Sequence, residues 1–147
     1  MARSDPYSGF RFLVSIDQIQ AGGFSKVKGL SRETRIESFR EGGVNDFEYK
    51  FISLTAYPNL ALDRGLADPG LWQWHQDVVE GRVTRRTITV TLRDEQMHEV
   101  WSWTVQAAYP VKWTASDFDA TSGQVVTESV EFAHHGLLLR QSLRPAP

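Results

Sequence analysis

Arg86-Thr87-Ile88-Thr89-Val90-Thr91-Leu92-Arg93 alternates threonine with large aliphatic residues. In an extended chain Ile88, Val90 and Leu92 share one face, while Thr87, Thr89 and Thr91 share the other. That is a half-buried strand with a hydroxyl-coated outer surface. Asp94-Glu95 supplies a turn, after which Trp101, Trp103, Val105 and Ala107 again fall on one face, so the two segments read as a hairpin. Upstream, Phe10, Phe12, Val14 and Ile16 alternate with Arg11, Leu13, Ser15 and Asp17. Gly22-Gly23 ends that strand and Phe24 to Leu30 begins another. Downstream, Val126, Val130 and Phe132 share a face that Glu128 interrupts. The expectation is a mainly β, antiparallel sandwich or barrel, with Trp74, Trp101 and Trp103 largely buried in its core.

One segment has a different period. Leu71, Trp74, His75, Val78 and Val79 recur at i, i+3, i+4 and i+7, the spacing of an amphipathic helix. Asp68 fits the N-cap, Pro69 the first helical position and Gly81 the C′ position. A helix over about 69–80 must cover something apolar, most simply an open face or end of a sheet.

Residues 33–52 form the odd part. Glu33 to Phe39 and Phe47 to Phe51 look extended on either side of Gly42-Gly43, yet are charged throughout. The large apolar groups counted there are Ile36, Phe39, Phe47, Tyr49 and Phe51. A two-stranded arm that is polar on both faces contributes little core, and an isolated hairpin is marginal in water. Its surroundings must stabilise it. Arg35, Arg40, Glu41, Gly42, Gly43, Asp46, Glu48 and Lys50 are therefore the candidate assembly residues. Each arm offers both signs of charge to its neighbours, and the glycines would let the tip bend.

The 147 residues suit a single domain, with residues 1–8 and 141–147 loose or ordered on assembly. There are no cysteines, which removes disulfide scaffolds, thiol catalysis and thiolate metal sites. With 16 Lys and Arg against 18 Asp and Glu, the net charge of −2 lacks the positive field of a dedicated nucleic-acid binder. The start of the chain has no signal-peptide pattern, and no apolar run approaches membrane-span length. The sequence reads as a soluble protein made in the cytoplasm, without membrane insertion.

Chemistry finds little foothold. His75, His98, His134 and His135 have no metal-ligand spacing: Val79, not an acid or histidine, stands four residues after His75, and the last two are adjacent. No Gly-x-Ser-x-Gly elbow surrounds Ser25 or Ser129, and neither double glycine opens a phosphate cradle. Asp94-Glu95 and Asp117/Asp119 are carboxylate pairs in turn-like settings. Arg82, Arg85 and Arg86 lie near Trp72 and Trp74 and suit either single-stranded nucleic acid or a charged subunit contact. The expectation is no catalytic residue, cofactor or metal.

Six segments in order resemble one family. They are Asp5-Pro6-Tyr7 with Phe10-Arg11-Phe12-Leu13-Val14, then Gly23 to Leu30, then Arg40-Glu41-Gly42-Gly43. Tyr57 to Leu66, Ala108 to Trp113 and Glu128 to Leu137 complete the set. Together they resemble the tail tube protein family of contractile phage tails and bacterial contractile injection systems. The chain departs from the family's usual Lys-Leu-Pro-Gly turn, having Lys50-Phe51-Ile52-Ser53. The resemblance implies a β-sandwich or barrel with one helix, usually six subunits joining sheets around a ring, and rings stacking into a hollow tube. Implied partners are further copies, a contractile sheath, baseplate or tube-initiator and terminator proteins, and a passenger, either protein effector or DNA. The particle would be a phage tail or a tail-like device that can be released from the cell. A tube-initiator paralogue and a non-enzymatic β-sandwich binding module remain alternatives.

Overall fold

The computed structural model describes residues 11–17, 19, 24–39, 49–64, 69–96, 98–121, 123 and 127–141. Among these described residues, nine strands and one helix follow in the order β1 (Arg11–Ile16), β2 (Phe24–Lys28), β3 (Glu33–Phe39), β4 (Tyr49–Ala56), β5 (Leu60–Arg64), α1 (Pro69–Val79), β6 (Arg86–Arg93), β7 (Glu99–Ala115), β8 (Glu128–Ala133) and β9 (Gly136–Gln141). The first sheet runs β1-β6-β7-β9 and the second β2-β5-β8-β7, every pairing antiparallel. The 17-residue β7 belongs to both. A strand that changes sheets is how two layers meet at a corner.

The corner has a sequence cause that alternation alone misreads. Between the Arg86↔Ala108 and Ile88↔Val105 pairs, β7 carries one residue more than β6, and Ala107 there has φ 53°. The bulge inverts the alternation, so Val105 is buried on one side of it and Ala108 and Pro110 on the other. Ala107 is thus the bulge residue and does not continue the face of Trp103 and Val105.

Core residues come from both inner faces and from the helix. Val14, Ile16, Ile88, Val90 and Val105 of the first sheet meet Leu60, Leu62, Val130 and Phe132 of the second, with Leu71 and Trp74 of α1. Trp74 is 1% exposed, tilts against Phe132 at 5.3 Å between ring centroids, and donates its indole N–H to the Thr84 carbonyl at 2.8 Å. The expected burial of the other two tryptophans does not hold. Trp101 is 40% exposed and Trp103 half-buried, because the second sheet and the helix do not reach that end of the first sheet's inner face. Glu128, expected to interrupt a face, is buried within it and accepts the Trp113 indole N–H at 2.9 Å. Val126 lies outside the described residues.

The helix ends one residue before the expected boundary. Gly81, at φ 89°, donates to the Val78 carbonyl, and Arg82 N donates to that of Asp77, the paired bonds of a Schellman cap. Leu71 and Trp74 are buried, His75 and Val78 are half-buried, and Val79 is exposed rather than covered. Asp68 and Gly22-Gly23 lie outside the described residues.

The arm is the β3–β4 hairpin, a separate two-stranded sheet. Its root is fixed. Gly29, at φ 92°, sits so close to residue 59 that a Cβ would stand 2.1 Å from the Asn59 carbonyl oxygen. His134 Nε2 lies 3.1 Å from the Pro58 carbonyl oxygen, and its ring packs against Tyr57.

Trp74→Ala should destabilise the fold by about 3–5 kcal/mol, whereas Trp101→Ala should cost less than about 1 kcal/mol, both read from urea melts. Gly29→Ala should cost at least about 1–3 kcal/mol from backbone strain alone. Gly81→Ala, facing open space, should cost less than Gly29→Ala in the same assay.

Candidate assembly surface

Several of the groups singled out for chemistry make structural contacts. Among the described residues no three His, Asp or Glu side chains converge on a point. Ser129 Oγ hydrogen-bonds the Asp63 carboxylate, joining neighbouring strands. The three arginines are each engaged. Arg82 meets Asp77 and Glu80; Gln76 and Arg82 hydrogen bonds hold the Glu80 carboxyl below its ordinary range. Arg85 lies over the Tyr109 ring and meets His135 Nε2 at 2.8 Å. Arg86 stacks over Trp74 and donates to the Asp17 carbonyl. The first arginine braces the helix end and the other two brace the corner between sheets.

Among the described residues, three surfaces remain without an intramolecular explanation. The first is the arm. Of its candidate residues, Arg35 and Lys50 are exposed on β3 and β4, while Arg40, Glu41, Gly42, Gly43, Asp46 and Glu48 lie outside the described residues. Ile36 pairs with Ile52, Glu37 with Phe51 and Ser38 with Lys50. Ile36 is 55% exposed, Ile52 81% and Leu54 66%. The charge-based reading had left Ile52 and Leu54 out of the arm's apolar set. The signal was the length of β4, which continues through Lys50-Phe51-Ile52-Ser53 to Ala56 where the resemblance would put a turn. A register shift interrupts the pairing between Thr34 and Ile36.

The second surface is the outer face and edges of the first sheet. Across it run two rows, Ser15-Thr89-Thr104-Leu138 and Leu13-Thr91-Ser102-Arg140. Both rows are uncharged apart from Arg140. Their leucines, Leu13 and Leu138, are exposed and stand on β1 and β9, the two outermost strands. An unpaired, apolar edge is a template for another strand.

The third is the uncovered end of the same sheet's inner face. Trp101 and Trp103 touch edge to face at 5.5 Å, beside Leu139, which is 57% exposed and pairs directly with Trp103. Surfaces of this kind mark protein contacts.

Known proteins share this architecture. The chain resembles a subunit of the anti-feeding prophage tube-terminating cap at a TM-score of 0.82 and 23% identity, covering 97% of this chain and 95% of that one. It resembles a chain of the sheath–tube complex of the extracellular contractile injection system PVC in its extended state at 0.80 and 23%, covering 90% and 89%. A chain of the anti-feeding prophage baseplate, six-fold symmetrised, matches at 0.73 and 23%, covering 96% and 98%. A comparison with curated proteins by sequence found no match. Residues 8–138 match a family described as T4-like virus tail tube protein gp19. With that match spanning nearly the whole chain, on a two-sheet body with open edges and a projecting arm, the protein belongs to the T4-like tail tube family.

Proposed function

We propose that the chain is a structural, non-enzymatic subunit of the inner tube of a contractile tail or injection system, with all 147 residues acting as one assembly unit. The observation that carries this reading is the first sheet: one face covered by the second sheet and the helix, the other lined with hydroxyl side chains of which Thr91 is buried, and exposed leucines on both outermost strands. Its four strands alternate in direction, so β1 and β9 run oppositely. Rotation about a ring axis preserves direction along that axis. The β9 edge of one copy therefore meets the β1 edge of the next as an antiparallel pair, and the seam closes without leaving edges. Leu138 and Leu13, otherwise stranded on a hydroxyl face, come to the same seam.

Ring closure also orients the subunit. The second sheet and helix lie on the covered side of the first sheet, and their bulk fits outside a closed barrel, not within it. The hydroxyl rows then face the lumen, through which a protein effector or DNA passes. Six copies per ring agree with the symmetry of the anti-feeding prophage baseplate, to which the chain is similar. The sheath, baseplate and terminator complexes that contain similar subunits indicate the partners: a sheath outside, and initiator and terminator proteins at the ends. Among the described residues no helix is long and apolar enough to cross a membrane. The subunit is built into the particle.

Concentrated protein should form rings or short stacks visible by electron microscopy, with or without chelator. Leu13→Asp with Leu138→Asp should leave the circular dichroism spectrum unchanged and abolish rings. Rings that persist in the double variant would refute the seam. Removing residues 40–48 should leave the body folded but abolish tubes. Single charge changes on the arm should do little, since exposed ion pairs contribute about 0–1 kcal/mol.

A further inference from the structure

The uncovered end of the first sheet's inner face is barer on one side than on the other. Two rows cross it, Phe12-Leu92-Trp101-Gln141 and Val14-Val90-Trp103-Leu139. Val14 and Val90 are buried and Phe12 and Leu92 half-buried, whereas Trp101 is 40% exposed and Leu139 57%. Apolar exposure therefore rises from β1 across to β9. In the proposed ring the β9 edge receives β1 of the next copy, so the bare side of the patch adjoins the place where that copy's chain enters β1. Arg11 opens β1 in the row beyond Phe12, at the same end of the sheet as Trp101. The segment that precedes it, residues 1–10, lies outside the described residues. It carries two aromatic groups, Tyr7 and Phe10.

We infer that residues 1–10 of one copy strap across the seam and lay Tyr7 and Phe10 on the Trp101–Trp103–Leu139 patch of the neighbour, in the same ring, whose β9 edge its own β1 meets. The inference rests on the tube reading and adds to the seam a contact beyond the paired edges. Adjacent strands lie about 4.8 Å apart, so Leu139 stands one strand, and Trp101 and Trp103 two strands, from the incoming β1. A reversal at Gly9, the residue that tolerates one best, and a few residues at up to ~3.5 Å each cover that span. Within one copy the same segment would have to pass over β6 and β7 to reach Leu139 on the far edge. Leu92, on that route, is already half-buried. Trp101 and Trp103 touch edge to face, which leaves ring faces and edges for further aromatic partners. Tyr7 can bury its ring there and keep its hydroxyl in water.

The absence of cysteines makes cross-linking clean. Ser8→Cys with Leu139→Cys in one chain, assembled and treated with a short bismaleimide, should give a ladder of covalent multimers that ends at one ring. Ser8→Cys with Thr89→Cys, whose second cysteine stands on the hydroxyl face, should give none. Rings that form without a ladder, a cross-link confined to single chains, or a ladder that runs past one ring would each overturn the strap while leaving the tube reading intact. Failure of the unmodified chain to form rings at all would instead overturn the tube reading and the strap with it. Tyr7→Ser with Phe10→Ser provides a test without cross-linker. It should leave the circular dichroism spectrum unchanged and raise the concentration needed for rings by about tenfold or more. It should also remove the blue shift of tryptophan emission that ring formation gives the unmodified chain. An unchanged threshold, or a blue shift that persists, would overturn the strap.

Discussion

The bulge at Ala107 is the constraint on which the architecture depends. One extra residue in β7 inverts its alternation, so a single 17-residue strand serves two sheets whose inner faces then oppose each other. Without that inversion Val105 and Pro110 could not both face the core. The corner is braced by side chains: Arg86 over Trp74 and bonded to the Asp17 carbonyl, Arg85 over Tyr109 and bonded to His135. Because the corner puts the second sheet and the helix on one side of the first sheet, neither covers its other side or pairs with the β1 and β9 edges. Those are the elements that the proposed ring closure would use.

Much of this was legible in the sequence, and the exceptions have physical reasons. The threonine alternation in β6 located a half-buried strand, and the 3.6 period located α1 to within a residue. The family resemblance, carried by six ordered segments, agreed with the match over residues 8–138. The tryptophans were harder. Periodicity places Trp101 on the inner face, where it is, but does not say how far the covering layer extends, so burial was overestimated. Ala107 was misassigned because a bulge changes the phase of a pattern without leaving a glycine to mark it. Glu128 was taken for an interruption because its partner, the Trp113 indole N–H, is distant in sequence.

The arm shows a different limit of sequence reading. Its charges are conspicuous, and they led to candidates on both strands and the tip. Isolated surface charges contribute little, whereas burying an aliphatic side chain contributes about 1.5–3 kcal/mol. In the proposed assembly the exposed Ile36, Ile52 and Leu54 would therefore outweigh the ion pairs as sources of affinity, with the charges setting orientation and partner choice. A hairpin whose stabilisation comes mainly from a neighbour is also suited to an assembly that grows from a seed.

Hydrogen–deuterium exchange on free and assembled protein tests the central claim, that the first sheet closes edge to edge between copies. The account predicts new protection in assembled material over β1 (residues 11–16) and β9 (residues 136–141), while the interior strand β6, paired on both sides already, changes little. Protection that appears only on α1 or the second sheet, with β1 and β9 exchanging as in the free chain, would contradict it.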